Sequence, residues 1–158
     1  MLKIFDVKCY NEKEGIMKKF TIFCLVIVII LCMISGIYIN YKANYNVLRK
    51  ENLQFERYLN KEIYGTELTT LINKVINANE NNKIQKENGI YLNNNQNSIN
   101  IEIKMTDIDK IYQMEKIYNG GIQNFVEFYG DIKFKCIQLE YHNSTNKVRY
   151  LLFEQISE

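Results

Sequence analysis

The chain is poor in the residues that build reactive or cross-linked sites. It has one histidine, four cysteines, no tryptophan and no proline in 158 residues. Zinc needs several Cys or His ligands close together, and His142 stands alone with Cys9, Cys24, Cys32 and Cys136 scattered along the sequence. Cys24 and Cys32 fall inside a long apolar run and Cys9 lies before it. Cys136 is therefore the only cysteine of the carboxy-terminal part, and no disulfide can close there. A domain of roughly 100 residues must then rest on its apolar core, which suffices at that size. The formal net charge of +2 is too small to point to nucleic acid. No metal, cofactor or nucleic-acid partner is expected.

What the chain does have is the run Phe20 to Ile39, FTIFCLVIVIILCMISGIYI, entered through Lys18-Lys19 and free of charge. About 20 apolar residues rising ~1.5 Å each can cross a ~30 Å hydrocarbon core. Ile, Leu, Val and Phe each favour insertion by about 0.3–0.6 kcal/mol at the helix centre. A core helix of a soluble domain seldom stays apolar all round for this length. A cleaved signal peptide wants a shorter apolar region and a small-x-small site, which Ile34-Ser35-Gly36-Ile37-Tyr38 does not offer. A lipoprotein wants a small residue before its cysteine, whereas Phe23 precedes Cys24 and Leu31 precedes Cys32. The sequence predicts an uncleaved signal-anchor over 20–39 with the lipid bilayer as a partner. Lys3, Lys8, Lys13, Lys18 and Lys19 against Lys42, Arg49, Lys50 and Arg57 place the amino terminus in the cytoplasm and the rest outside.

Two readings of residues 1–16 stand side by side. Lys13-Glu14-Gly15-Ile16-Met17 is what results from translating through a purine-rich ribosome-binding site, which would make Met17 the start and 1–16 an artefact. Otherwise 1–19 is a solvated cytoplasmic tail. Asn, Lys, Ile and Tyr, all with AT-rich codons, are abundant and indicate a low-GC bacterial genome.

After the anchor, Tyr41, Tyr45, Leu48, Phe55 and Leu59, with Asn52 between, are spaced like heptads. The run is short for a coiled coil, so 40–62 is expected to be a juxtamembrane helix lying against its own domain. The extracytoplasmic domain, 63–158, begins with Leu68, Leu71, Ile72, Val75 and Ile76 on one helical face. Gly65 either allows close packing or marks a break with Thr66 as N-cap. The helix is expected to end in the polar stretch Asn77 to Asn82. A short strand follows around Ile90 to Leu92. Ile99, Ile101, Ile103 and Met105 then alternate with polar residues as a half-buried strand. Asp107 to Asp109 should turn into a strand over Ile111 to Glu115, and Gly120-Gly121 should open a short helix with Ile122, Phe125, Val126 and Tyr129. Lys133 to Tyr141 and Val148 to Phe153 read as a hairpin around His142 to Asn146. The fold class is α+β: an amino-terminal transmembrane helix continuing into an amphipathic helix, then a small, mainly antiparallel sheet with a short helix inserted.

Catalytic groupings are sparse. Cys136 and His142 would sit about 20 Å apart on an extended strand at ~3.3 Å per residue. The Cys136 and Arg149 pair on consecutive strands resembles the surface cysteine transpeptidases, but no histidine precedes the cysteine. Cys136 is expected to be a small core residue. Asp107 and Asp109 lack the further oxygen ligand and glycine of a calcium loop, since Ile111 and Tyr112 stand in those places. Gly120-Gly121 has no phosphate-loop lysine, and Glu127 and Asp131 are ordinary carboxylates. No enzyme is expected.

Two resemblances remain. The plan of membrane helix, amphipathic helix and small sheet resembles pilins and pseudopilins, and Phe20-Thr21-Ile22 is similar to the start of a processed pilin. Yet Gly15 is separated from the run by Lys18-Lys19 and no acidic residue lies within it. The segments IYGTELTTLINK (Ile63 to Lys74), NSINIEI (Asn97 to Ile103) and FKCIQLEYH (Phe134 to His142) resemble a group of small, single-pass proteins of low-GC Gram-positive bacteria that has no assigned function. That resemblance implies a membrane-anchored domain and transfers no active site. The expected role is a structural or interaction protein of the cell envelope, with protein partners there, pseudopilin-like in a secretion or pilus assembly. The alternative is a membrane-tethered ligand-binding or sensing domain. Tyr64, Gly65, Thr66 and Glu67 are the candidate interaction residues, against a plain helix junction.

Overall fold

In the computed structural model, residues 3–94, 96–106 and 110–156 are described, with side chains from Met17 onward. The start-site reading of 1–16 and the Asp107–Asp109 turn therefore lie outside the residues whose side chains are described. The chain divides into two units, Met1–Val47 and Leu48–Glu158.

The first unit is carried by helix α1 (Lys3–Glu56). Its most apolar 18-residue window has a mean hydropathy of 3.0, and none of it is buried inside the protein. Phe20, Leu25, Leu31 and Ile39 are all exposed around the helix. Such a surface needs an apolar solvent on every side, and this single helix is compatible with a single-pass membrane anchor. The Thr21 and Ser35 hydroxyls are satisfied locally. Thr21 Oγ1 donates to the Met17 carbonyl and Ser35 Oγ to that of Leu31, both at 2.8 Å, so neither carries an unmet donor into hydrocarbon.

The second unit holds the last turns of α1 and the α+β domain. In chain order the elements are β1 (Glu62–Tyr64), α2 (Gly65–Asn81), β2 (Lys86–Glu87), β3 (Ile90–Tyr91), β4 (Asn100–Met105), β5 (Lys110–Gln113), α3 (Met114–Asn119), α4 (Ile122–Tyr129), β6 (Lys133–Tyr141) and β7 (Val148–Gln155). Five strands form one sheet in the order β1-β6-β7-β4-β5. All neighbours are antiparallel except β4 and β7, which run parallel with Ile101 opposite Leu151 and Ile103 opposite Phe153.

The core follows the sequence periodicities. Leu68, Leu71, Ile72, Val75 and Ile76 of α2 are buried, as are Ile101, Ile103 and Met105 of β4. Phe134, Leu151 and Phe153 complete the layer, and the Phe125 ring lies 6.0 Å from that of Phe134. The alternate positions of the same strands make a charged outer face. There Lys104 pairs with Glu154 at 2.7 Å, and Tyr150 Oη donates to Glu102 at 2.8 Å.

Several local expectations differ from the structure. Helix α2 ends at Asn81, within the expected stretch; what the pattern does not give is that Asn79 there points inward and is anchored to Ile99. The strand expected through Glu115 stops at Gln113 and α3 begins at Met114. Met114 and Glu115 are buried, and Glu115 Oε1 accepts the Tyr91 N–H at 3.1 Å. Ile90-Tyr91 is a strand, but it pairs with Lys86-Glu87 outside the main sheet, across Asn88 and Gly89 at φ 51° and 81°, a left-handed pair suited to a two-residue hairpin turn. Helix α1 ends at Glu56, and β1, an element unforeseen in the sequence, adds Ile63 opposite Phe134 at the sheet edge.

Candidate functional site

The four residues singled out from the sequence, Tyr64, Gly65, Thr66 and Glu67, sit where β1 becomes α2. Gly65 is buried, and a Cβ there would lie 1.9 Å from the Tyr129 carbonyl oxygen. Its N–H donates to Ile132 O at 2.9 Å and the Thr66 N–H to Gly130 O at 3.2 Å. The N-cap position is Tyr64, in extended conformation, and the first free N–H groups of α2 are met by backbone of the α4–β6 connection rather than by a side chain. Tyr64 is exposed, and Glu67 faces Lys61 at 3.8 Å. The close approach and these backbone bonds make Gly65 and Thr66 a packed junction.

Cys136 and His142 are not brought together. Cys136 is fully buried with its thiol 3.5 Å from the Gln138 carbonyl, and burial pushes its pKa up to about 11. A thiol held neutral in this way is a poor nucleophile. His142 is buried with Nε2 at 2.7 Å from the Ser98 carbonyl. A carbonyl can only accept, so Nε2 carries the proton. Arg149 is taken by Glu140. Among the described residues no group of three or more His, Cys, Asp or Glu could hold a metal ion.

A concavity of the Leu48–Glu158 unit lies elsewhere. It is a groove of about 610 Å³ walled by α2 on one side and by the last turns of α1 on the other, closed at one end by the Asn97–Ile99 segment and Lys147-Val148. That volume falls within the range of ligand sites. Its lining is unusual in being amide-rich: Asn52, Gln54, Asn73, Asn77, Asn81 and Asn82 all face it.

Two buried asparagines hold this end of the domain together. Asn52 Oδ1 accepts the Val148 N–H at 3.0 Å while its Nδ2 donates to Asn146 O at 2.8 Å. Asn79 does the same for Ile99, with bonds of 2.9 and 2.7 Å. Ile99 lies just before β4 and Val148 at the start of β7, beside Tyr141 of β6, and each asparagine bonds main-chain groups there as a neighbouring strand would. Each side chain thus acts as a short stretch of missing strand. The N–H groups of Gln96, Asn97 and Ser98 all donate to Asn94 Oδ1, and Thr145 Oγ1 donates to Gln96 O.

Of the groove's charges, Lys147 pairs with Glu51 at 2.9 Å, and Lys74 Nζ lies 5.6 Å from the centre of the Phe55 ring. A second, smaller pocket of about 230 Å³ is apolar and lined by Met105, Tyr112, Phe125, Phe128 and Tyr129 among others.

The groove was not foreseen because Asn77 to Asn82 was read only as the polar end of the helix. Carrying the helix to Asn81 would have put Asn73, Asn77 and Asn81 at i, i+4 and i+8, a legible amide stripe. Compared with models of protein families, with characterised proteins and with solved structures, the chain matches none. The fold and groove define a class: an α+β domain with a polar cleft, on a chain that also carries a membrane-length helix.

Proposed function

We propose that this chain is a membrane-anchored interaction protein of the bacterial cell envelope, with an uncleaved anchor, a cytoplasmic amino terminus and an extracytoplasmic domain that holds a partner in the amide groove. The observation that carries this reading is the groove itself. Its Asn and Gln side chains offer donors and acceptors to an incoming molecule, in a chain that also has a helix able to cross a bilayer. A pseudopilin-like place in a secretion or pilus assembly is supported by the shared order of apolar helix, amphipathic helix and sheet. The resemblance of the Ile63–Lys74 and Phe134–His142 segments to small single-pass Gram-positive proteins supports the anchored setting.

The test is photo-crosslinking in the native membrane. A photoreactive residue replacing Asn77 should give a discrete adduct, while one replacing Lys133 on the opposite, charged sheet face should not. The full-length chain should stay with membranes through an alkaline wash, and protease added to intact spheroplasts should digest the domain. A detergent-extracted chain that is monomeric and gives no adduct at either position would overturn the interaction reading.

One observation favours the alternative, a ligand-binding or sensing domain: the second pocket presents Tyr112, Phe125, Phe128 and Tyr129 around a small apolar volume. A small apolar envelope compound that quenches tyrosine fluorescence and loses affinity on Phe128→Ala would support it.

A further inference from the structure

The asparagine stripe of α2 has a spacing that selects among polar ligands. We propose that the groove binds an extended polypeptide segment of a partner through its main chain, with Asn73, Asn77 and Asn81 pairing the main-chain groups of alternate residues. This rests on the groove being the partner-binding surface and names what occupies it.

Residues four apart on a helix are separated by about 6 Å along its axis, and the roughly 40° turn between them lengthens the step between side-chain ends to about 7 Å. Peptide groups facing the same way on an extended chain recur every two residues, at about 6.6–6.8 Å. The two repeats match to within the freedom of an asparagine side chain. A carboxamide also matches the N–H and C=O that one residue of an extended chain presents on the same edge, accepting from the one and donating to the other.

This pairing already occurs twice in the domain, where Asn79 grips Ile99 and Asn52 grips Asn146 and Val148. Asn79 is used inside, whereas Asn73, Asn77 and Asn81 face the groove and make no side-chain hydrogen bond with any described residue. Gln54 on the opposite wall is equally uncommitted. A sugar chain is less suited, because the one aromatic ring in the lining, Phe55, is buried and carries Lys74 over its face. With Lys147 neutralised by Glu51, the positive charge of Lys74 favours an acidic side chain in the bound segment.

The test uses the full chain in nanodiscs and a library of acetylated, amidated decapeptides, with retained peptides identified by mass spectrometry. The tightest peptide is then made in two forms, N-methylated on alternate nitrogens in either phase. One phase should weaken binding about tenfold or more while the other changes it less than about twofold, since only one set of N–H groups faces the stripe. Replacing Asn73, Asn77 and Asn81 together by Ala should cost as much, with the melting temperature kept. Retention of no peptide, equal binding of both N-methylated forms, or undiminished binding by the triple variant would overturn the proposal. So would binding of N-acetylglucosamine oligomers that the triple variant loses. A crosslink from position 77 without peptide binding would sink this inference alone, whereas no crosslink at all would sink the interaction reading with it. The N-methyl comparison uses the unaltered chain and does not depend on any variant folding.

Discussion

Asn79 and Ile99 are joined by two hydrogen bonds, Nδ2 to the Ile99 carbonyl at 2.7 Å and the Ile99 N–H to Oδ1 at 2.9 Å. This pair ties the last turn of α2 to the residue that leads into β4. Replacing Asn79 with Ala leaves a buried N–H and a buried C=O without partners, each costing about 1–3 kcal/mol. The expected loss is about 2–6 kcal/mol, seen as a clear drop in melting temperature of the detergent-solubilised chain followed by circular dichroism. An unchanged melt would show that the pair contributes nothing net.

Asn52 offers a sharper contrast between pattern and structure. It occupies a heptad-like position where an apolar residue would be the sequence-based improvement. Because it bonds Val148 N–H and Asn146 O, Asn52→Leu should destabilise by about 1–3 kcal/mol and loosen the His142–Asn146 loop. Chemical denaturation measures the first, and hydrogen exchange at the Val148 amide the second. A gain in stability would refute the strand-surrogate role.

Gly65 admits no side chain. A Cβ would sit 1.9 Å from Tyr129 O and 2.8 Å from its carbonyl carbon, both backbone atoms. Gly65→Ala must push α2 away from the end of α4, at a cost of about 3 kcal/mol. Gly36, with nothing within 4 Å, should accept Ala without a change in the domain's melt. Equal effects at both sites would contradict the packing.

Cys136 makes stability depend on alkaline pH. Its folded pKa of about 11 lies above the ordinary 9.0 because burial disfavours the thiolate. Below pH 9 the thiol is neutral in both folded and unfolded chains, so the full stability is present. As pH rises from 9 towards 11, the unfolded thiol ionises first and stability falls, by about 2–3 kcal/mol in all. Denaturant titrations of the wild type and Cys136→Ala at pH 8 and pH 11 should show a smaller fall in the variant. Alkylation by iodoacetamide at neutral pH should be slow until the domain unfolds; rapid labelling of Cys136 in the native chain would contradict its burial.

Much of the fold was legible wherever one local period dominates. The 3.6-residue stripe from Leu68 to Ile76, the alternation of β4 and the β6–β7 hairpin all appear where the pattern puts them. The misses share a cause. The helix ends in the expected Asn77–Asn82 stretch, but the inward turn of Asn79, whose partner lies 20 residues on, was not legible there. Met114 and Glu115 continue a strand-like run, yet turn helical where Glu115 meets Tyr91. Strand β1 is too short to show a period and exists because Phe134 and its neighbours offer an edge. The junction at Tyr64 to Glu67 was visible as a glycine between polar residues, but the Tyr129 contact that explains it was not.

The sequence by itself determined the membrane-length helix, since hydropathy over Phe20 to Ile39 depends on composition alone. It also determined which faces of α2 and β4 are apolar, because helix and strand geometry convert spacing directly into faces. Only the tertiary structure decided which polar residues go inside. An asparagine is a turn residue, a surface residue or a main-chain clamp according to what lies across from it. Folding places Asn52 and Asn79 against main-chain groups at the entrances to β7 and β4 and leaves Asn73, Asn77 and Asn81 facing the groove. The physical reason is that a buried peptide group must find a partner, and where that partner sits is a property of the assembled domain.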